Sequence, residues 1–169
     1  KPVIIASYAP AAVPALIAAK IAKRDGWPYK VVSFPNPTIK ELIAGDADLS
    51  TAGAEGALSY AKSGQTKILS AWGPERNPNY PNAATPKEEG YGELFTWGGM
   101  AAPVGVPKDI INKLSSVMME ALKDKPVQDQ LKKSGIPGLP MTADQMSKRV
   151  ADDSKWISEL MTELGMTKK

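Results

Sequence analysis

The sequence predicts an α/β fold, with a parallel-rich sheet in its first part and only helices in its last. Three observations carry this. Short apolar runs alternate with helical stretches at short spacing, as in a parallel sheet with helices on its faces. Each run is closed by Gly, Pro, Asn or Asp punctuation. Beyond Pro107 the chain reads as helical, with residues such as Ile110, Ile111, Leu114, Val117 and Met118 at helical spacing.

The elements follow in order. Val3, Ile4, Ile5, Ala6 and Ser7 form an unbroken apolar run ending in a small polar residue, the pattern of a strand buried on both faces. Tyr8, Ala9 and Pro10 make a turn. A helix then runs to about Arg24, where Asp25-Gly26 stops it, and Pro14 falls near its start, where a missing N–H costs little. Residues 30–34 alternate and are β-branched, so they form a second strand. Asn36 and Pro37 read as N-cap and N1 of a helix that Gly45 ends, with Ile39, Leu42 and Ile43 on its apolar face. A third strand is expected over 47–52, a short helix over 54–63 ended by Gly64, and a fourth strand over 67–72.

Residues 74–91 hold Pro74, Pro78, Pro81 and Pro86 among several asparagines and read as an irregular connection. Residues 95–102 are strand-like, and Gly98-Gly99 inside them implies a bend or a close backbone approach. The tail begins with a helix carrying Ile110, Ile111, Leu114, Val117, Met118, Ala121 and Leu122. A short helix over 126–133 stops at Gly135. Thr142 and Gln145 form a capping box for a last helix carrying Met146, Val150, Ile157, Leu160, Met161 and Leu164. There is no internal repeat and no low-complexity segment.

Composition removes whole classes of chemistry. The 169 residues include no histidine and no cysteine. That withdraws the usual general base near neutral pH, thiol nucleophiles, disulfides and the commonest metal ligands. Zinc hydrolysis and Ser-His-Asp catalysis are nearly excluded on that ground, and no cofactor or metal is expected. Net charge is +3, and only Arg24, Arg76 and Arg149 among the 21 basic residues are arginines. The lysines are scattered, which reads as a solvated surface rather than a nucleic-acid footprint. No apolar run reaches the roughly eighteen residues a spanning helix needs. A start at Lys1, directly before a strand, reads as a processed or trimmed end.

No catalytic motif of strong content is present. The segment Ala52-Gly53-Ala54-Glu55-Gly56 follows a strand and opens a helix but lacks the third glycine of a nucleotide fingerprint. What recurs is a set of strand ends: Ser7-Tyr8, Pro35-Asn36 and Thr51-Ala52-Gly53 each lie between a strand and a helix. In a parallel sheet these edges line one crevice, where helix N-termini present unpaired N–H groups and partial positive charge. A carboxylate can bind there without any arginine. The candidate ligand-binding residues are therefore Ser7, Tyr8, Asn36, Thr51, Ala52 and Glu55. Each has a plain alternative: ordinary caps and turns for the polar residues, support of its own helix dipole for Glu55, and a surface aromatic for Tyr8. Trp97 lines a cleft or fills a core; Trp156 and the helical methionines read as packing residues.

Several collinear blocks resemble the tripartite tricarboxylate transporter solute-binding proteins, the Bug or tricarboxylate-receptor family. Val31-Val32-Ser33-Phe34-Pro35 resembles the family's valine-proline-tyrosine segment, and Ile39 to Asp48 its helix-then-strand block. Tyr60 to Leu69 is similar to its "ile-lys-ala-gly-lys-leu-arg-ala-leu" run. Ala84 to Tyr91, with Pro81, sits at its proline-rich "glu-x-gly" segment. Trp97-Gly98-Gly99-Met100-Ala101-Ala102-Pro103, with Gly105 to Leu114, resembles its "trp-x-gly-x-x-ala-pro-x-gly" block, and Trp156 fits the tryptophan of its last helix. Ser7-Tyr8-Ala9-Pro10 departs from the family's "ser-ala-gly-x-gly-ser" loop, and Val106 stands at the usual capping threonine, a change of about 1 kcal/mol.

The resemblance implies a type II periplasmic-binding-protein-like, two-lobe fold. Residues 1–94 would form an α/β ligand-binding lobe, incomplete at its N-terminus, and 95–169 a crossover strand with helices of the other lobe. It implies a binding protein and not an enzyme, with a small carboxylate as ligand and membrane transporter subunits as partners. It also implies a periplasmic or extracellular address, with or without a lipid anchor. An effector domain of a transcriptional regulator and an enzyme of similar fold are the alternatives; the missing cysteine, the missing histidine and the paucity of arginine disfavour the enzyme. Open sheet edges imply self-association, element swapping or pairing with a missing N-terminal segment.

Overall fold

The computed structural model describes residues 1–34, 39–136 and 138–167, with the side chain of Glu55 outside the description. Asn36, predicted as a cap and a site residue, lies outside it as well. The chain divides into two compact units: Lys1–Thr96 together with the chain from Ile157 onward, and Trp97–Trp156.

The first unit is built on a three-stranded parallel sheet in the order β2-β1-β3. Strand β1 (Val3–Ser7) is central and pairs with β2 (Tyr29–Ser33) from Val3 opposite Tyr29 to Ser7 opposite Ser33. Its other edge pairs with β3 (Leu49–Ser50), Ile5 opposite Leu49 and Ala6 opposite Ser50. The central place explains the composition of β1. With a strand on each side, Ile5, Ala6 and Ser7 are buried, and polar alternation is absent where no face meets water. Strand β2, on the edge, keeps exposed Lys30 and Ser33.

Helix α1 (Val13–Asp25) connects β1 to β2. It takes Pro14 in its first turn and ends at Gly26, whose φ of 73° lies in the left-handed region that a Cβ disfavours. It buries Ala15, Leu16, Ile17, Ala18, Ala19 and Ala22. Four of these six are alanines, which let the helix backbone lie close to its neighbours. Helix α2 (Ile39–Ala44) and helix α3 (Ala54–Lys62) follow. Ile39 and Ala57 join Tyr80 and Ala83 in a second core cluster, against which Ala54, Leu58, Tyr60, Ile68 and Ala71 pack.

Three expectations are corrected. The third strand spans 49–50 rather than 47–52. Asp48 supplies the preceding ladder step with its side chain: its carboxylate accepts the Ile4 amide at 2.8 Å, and its own amide donates to the Ile4 carbonyl at 2.9 Å. Residues 67–72 form no strand; they make one isolated parallel bridge, Ser70 with Ala84. The neighbouring chain carries Pro81 and Pro86, which have no N–H to continue a ladder, and the Ala84 carbonyl is taken by the Ala71 amide at 3.1 Å and the Ser70 hydroxyl at 3.0 Å. Residues 95–102 are not a strand either. Phe95 is buried, but Met100 and its neighbours are exposed and no partner strand runs beside them among the described residues.

The proline-rich connection is more ordered than its composition suggests. Thr85 and Pro86 are buried. Thr85 and Glu88 cap each other reciprocally, the Thr85 amide donating to the Glu88 carboxylate at 2.7 Å and the Glu88 amide to the Thr85 hydroxyl at 3.3 Å. Arg76 ties the loop together through Glu88 at 2.8 Å and the Pro81 carbonyl at 2.9 Å.

The second unit holds α4 (Lys108–Ala121), α5 (Lys125–Ser134) and the greater part of α6 (Ala143–Glu163). The N-cap of α4 is Pro107, not Val106, and no side chain caps it. Helix α5 ends at Gly135, as its sequence predicts. The Thr142–Gln145 capping box is formed, with reciprocal bonds of 2.8 and 3.3 Å. Trp97 is half-buried and donates its indole N–H to Asp153, which also accepts from Arg149 Nε at 2.8 Å. A Cβ on Gly99 would stand 3.0 Å from the Met146 methyl, the close approach that its glycine implies.

Candidate ligand-binding edge

The C-terminal ends of β1 and β3 lie side by side, and each leads into a helix. After Ser7 the chain turns through Tyr8, with the Ala12 amide donating to the Ala9 carbonyl at 3.2 Å, and enters α1. After Ser50 it passes through Thr51, Ala52 and Gly53 into α3. The N-caps are Ala12 and Gly53. Both have extended backbones, and neither makes a side-chain capping bond. Two helices of 13 and 9 residues thus begin at this edge without a bond from an N-cap side chain, and apart from Pro14 their first turns bring N–H groups and the positive ends of two helix dipoles there.

The predicted residues fall into distinct positions. Ser7 is 0% exposed and its hydroxyl donates to the Ala9 carbonyl at 2.9 Å, while its carbonyl accepts the Phe34 amide at 2.9 Å. It shapes two loops from inside. Tyr8, the next residue, is 61% exposed. Thr51 is half-buried and Ala52 exposed, both in the link to α3. Glu55 is the second residue of α3. The structure brings Ser7, Tyr8, Thr51, Ala52 and the backbone of Glu55 to one edge of one sheet.

Sequence reasoning missed two residues here. Ser50, beside Ala6 in the ladder, carries a buried hydroxyl with no hydrogen-bond partner among the described residues. Its signal was its place at the end of a strand, one residue before the loop singled out. Tyr80 comes from the proline-rich connection; its hydroxyl donates to the carbonyl of Ala54, and burial raises its pKa above the usual phenol value. Nothing in its local sequence points to the edge.

The C-terminal end of α1 is chemically different. A cleft of about 400 Å³ there is lined by Lys20, Lys23, Arg24, Gly90, Tyr91 and Glu163. Its cations are engaged: Arg24 lies 3.4 Å over the Tyr91 ring and donates to the Gly90 carbonyl at 3.0 Å, and Lys23 donates to the Glu163 carbonyl at 2.6 Å. The Tyr91 hydroxyl and the Arg24 guanidinium, both donating to Asp25, hold its carboxyl below the usual aspartate range.

Comparison with known proteins gives the family and the fold of this chain. The model of the "Tripartite tricarboxylate transporter family receptor" matches residues 12–166. A Cupriavidus necator protein, the UPF0065 protein in the gbd 5' region, is 24% identical over 151 residues, covering 88% of this chain and 46% of the relative. The chain spans about half the length of the curated relatives it matches most extensively. Among solved structures, the periplasmic binding protein BugD superposes with a TM-score of 0.79 at 23% identity, over 99% of this chain and 58% of BugD. An R. palustris protein with adipate gives 0.78 at 19% identity, over 98% of this chain and 57% of that one. MatC from Rhodopseudomonas palustris with bound malate gives 0.67 at 22% identity, over 96% and 55%. At these identities the likeness establishes the fold, α/β and of the periplasmic-binding-protein kind. With its family model matched across most of its length, the chain belongs to the tripartite tricarboxylate transporter receptor family.

Proposed function

We propose that this chain supplies the ligand-gripping edge of an extracytoplasmic solute receptor, which captures a small carboxylate and delivers it to a tripartite tricarboxylate transporter. The observation that carries this reading is the pair of uncapped helix N-termini on adjacent strand ends, in a chain of the receptor family. A carboxylate there accepts from backbone amides of the first turns of α1 and α3, so no arginine is required. Tyr8 offers a ring and a hydroxyl to the ligand, and Thr51 a hydroxyl. Ala52 keeps the approach to the α3 amides open, and Ser7 holds the β1 loop in shape. Asn36 and Glu55 are assigned to the same site from their sequence positions. Adipate and malate in two structures of the same fold support a dicarboxylate as the ligand class.

In this reading the protein binds and releases without catalysing a reaction. Residues 1–94 act as the ligand-binding lobe, and 95–169 as the crossover and helices of a second lobe. The site of action is the periplasm or the outer face of the membrane, lipid-anchored or free. No helix among the described residues is long and apolar enough to cross a membrane.

A thermal-shift series tests the proposal, with four- to six-carbon dicarboxylates, their neutral diamides and amino acids as ligands, and intact mass measured on the same sample. A dicarboxylate at about a hundred times its dissociation constant stabilises by about 2.7 kcal/mol, and its diamide does not. Absence of any shift, with the mass confirming the 169-residue chain, contradicts the assignment of the grip to this chain.

A further inference from the structure

One side chain of the proline-rich connection reaches back to the candidate edge. Tyr80 is 8% exposed, with its ring in the cluster of Ile39, Ala57 and Ala83. Its backbone is fixed as well: its amide donates to the Asn77 carbonyl at 2.8 Å, and its carbonyl accepts the Ala83 amide at 2.9 Å. With ring and backbone held, its hydroxyl donates to the carbonyl of Ala54, the first residue of α3. In an α-helix that carbonyl already accepts from the amide four residues on. The tyrosine therefore fills the second lone pair of a carbonyl the helix had satisfied. Such a bond adds nothing to helix closure and fixes where the helix begins. The start of α3 is otherwise defined by the packing of Ala54 and Ala57 on the cluster, since its N-cap, Gly53, has no side chain with which to cap the turn. The Ala57 amide, donating to the Gly53 carbonyl at 3.1 Å, closes the first helical bond.

We propose that Tyr80 is a positioning residue for the ligand edge: its hydroxyl anchors the first turn of α3 to the core, and so aims the first-turn amides behind Thr51–Gly53 at the bound carboxylate. It acts through α3 and does not touch ligand. Its ligand readout rests on the carboxylate-binding reading above; its structural readout does not.

The test is Tyr80→Phe in the 169-residue chain, with Tyr60→Phe as control. Tyr60 packs on the same cluster from within α3, so its change removes a hydroxyl without touching the anchor. Amide exchange and titrations with adipate and malate are read on both variants. In Tyr80→Phe the ring and the cluster are retained. The Ala57 and Leu58 amides exchange at least tenfold faster while those of Leu16 to Ala22 in α1 keep their rates. Affinity for whichever dicarboxylate the unaltered chain binds falls at least tenfold, and Tyr60→Phe shows neither effect. Unchanged exchange at Ala57 and Leu58 overturns the anchor, and faster exchange with unchanged affinity overturns its role at the ligand edge. If the unaltered chain binds neither dicarboxylate, the carboxylate reading fails by itself, and the exchange rates still decide whether Tyr80 sets the start of α3.

Discussion

The carboxylate of Asp48 accepts the backbone amide of Ile4 at 2.8 Å, across 44 residues of sequence. It stands where a preceding residue of an ordinary strand would present a carbonyl, and its own amide completes the pair. The two-residue β3 is thereby held against β1 in the register that sets Ser50 and Thr51 beside the end of β1. Asp48→Ala removes the acceptor and is expected to lower stability by about 1–2 kcal/mol, with Asp48→Asn nearer the unaltered protein because an acceptor remains. Urea midpoints of the three proteins, at constant slope, decide this.

Burial separates two helical leucines. Leu16 in α1 is 0% exposed, while Leu114 in α4 is 54% exposed. Leu16→Ala is expected to cost about 2–5 kcal/mol, as cavity-forming changes do. Leu114→Ala should stay within about 0.5 kcal/mol, the usual range for surface changes. Equal losses in denaturant unfolding would show that the α4 face is covered in solution.

Acid should loosen the proline-rich loop. The Thr85 amide, then Arg76, hold the Glu88 carboxyl below its usual value, and Tyr91 with Arg24 does the same for Asp25. A depressed folded-state pKa gives stability that is present above the unfolded-state pKa, near 4, and lost as pH falls through the folded value. Stability of the unaltered protein should therefore decline from about pH 5 downward. Glu88→Gln, less stable at neutral pH, should decline less. Parallel curves from pH 7 to 3 would exclude Glu88 as a contributor.

Gly99 and Met146 form a fourth test. A Cβ at 99 would press on the end of a flexible side chain 3.0 Å away, so Gly99→Ala should cost little and Gly99→Val more. Met146→Ala should relieve the cost of Gly99→Val in a double-mutant cycle, with a coupling of about 0.5–3 kcal/mol.

These relationships show which parts of the fold are local. Strand β1, helix α1, strand β2 and the helical tail are written in short runs: an apolar run before Ser7, Pro14 and Gly26 as bounds, a capping box at Thr142. Residues 67–72 and 95–102 carry the same apolar, β-branched character. A strand, however, also needs a partner backbone, and composition does not report one. Prolines opposite the first segment, and exposure beside the second, decided against a ladder. The candidate edge was legible as strand ends because a parallel sheet places them together whatever their side chains. Ser50 and Tyr80 were not, since one is marked by a buried hydroxyl and the other by a contact 26 residues away.

The central claim is that a dicarboxylate meets the amides at the starts of α1 and α3. The most direct measurement is an amide chemical-shift titration of the chain with adipate and with malate. The account predicts perturbations at Tyr8 to Val13 and at Thr51 to Gly56, saturating with one dissociation constant. Perturbations confined to Lys20, Lys23 and Arg24 at the far end of α1, or none at either helix start, would contradict it.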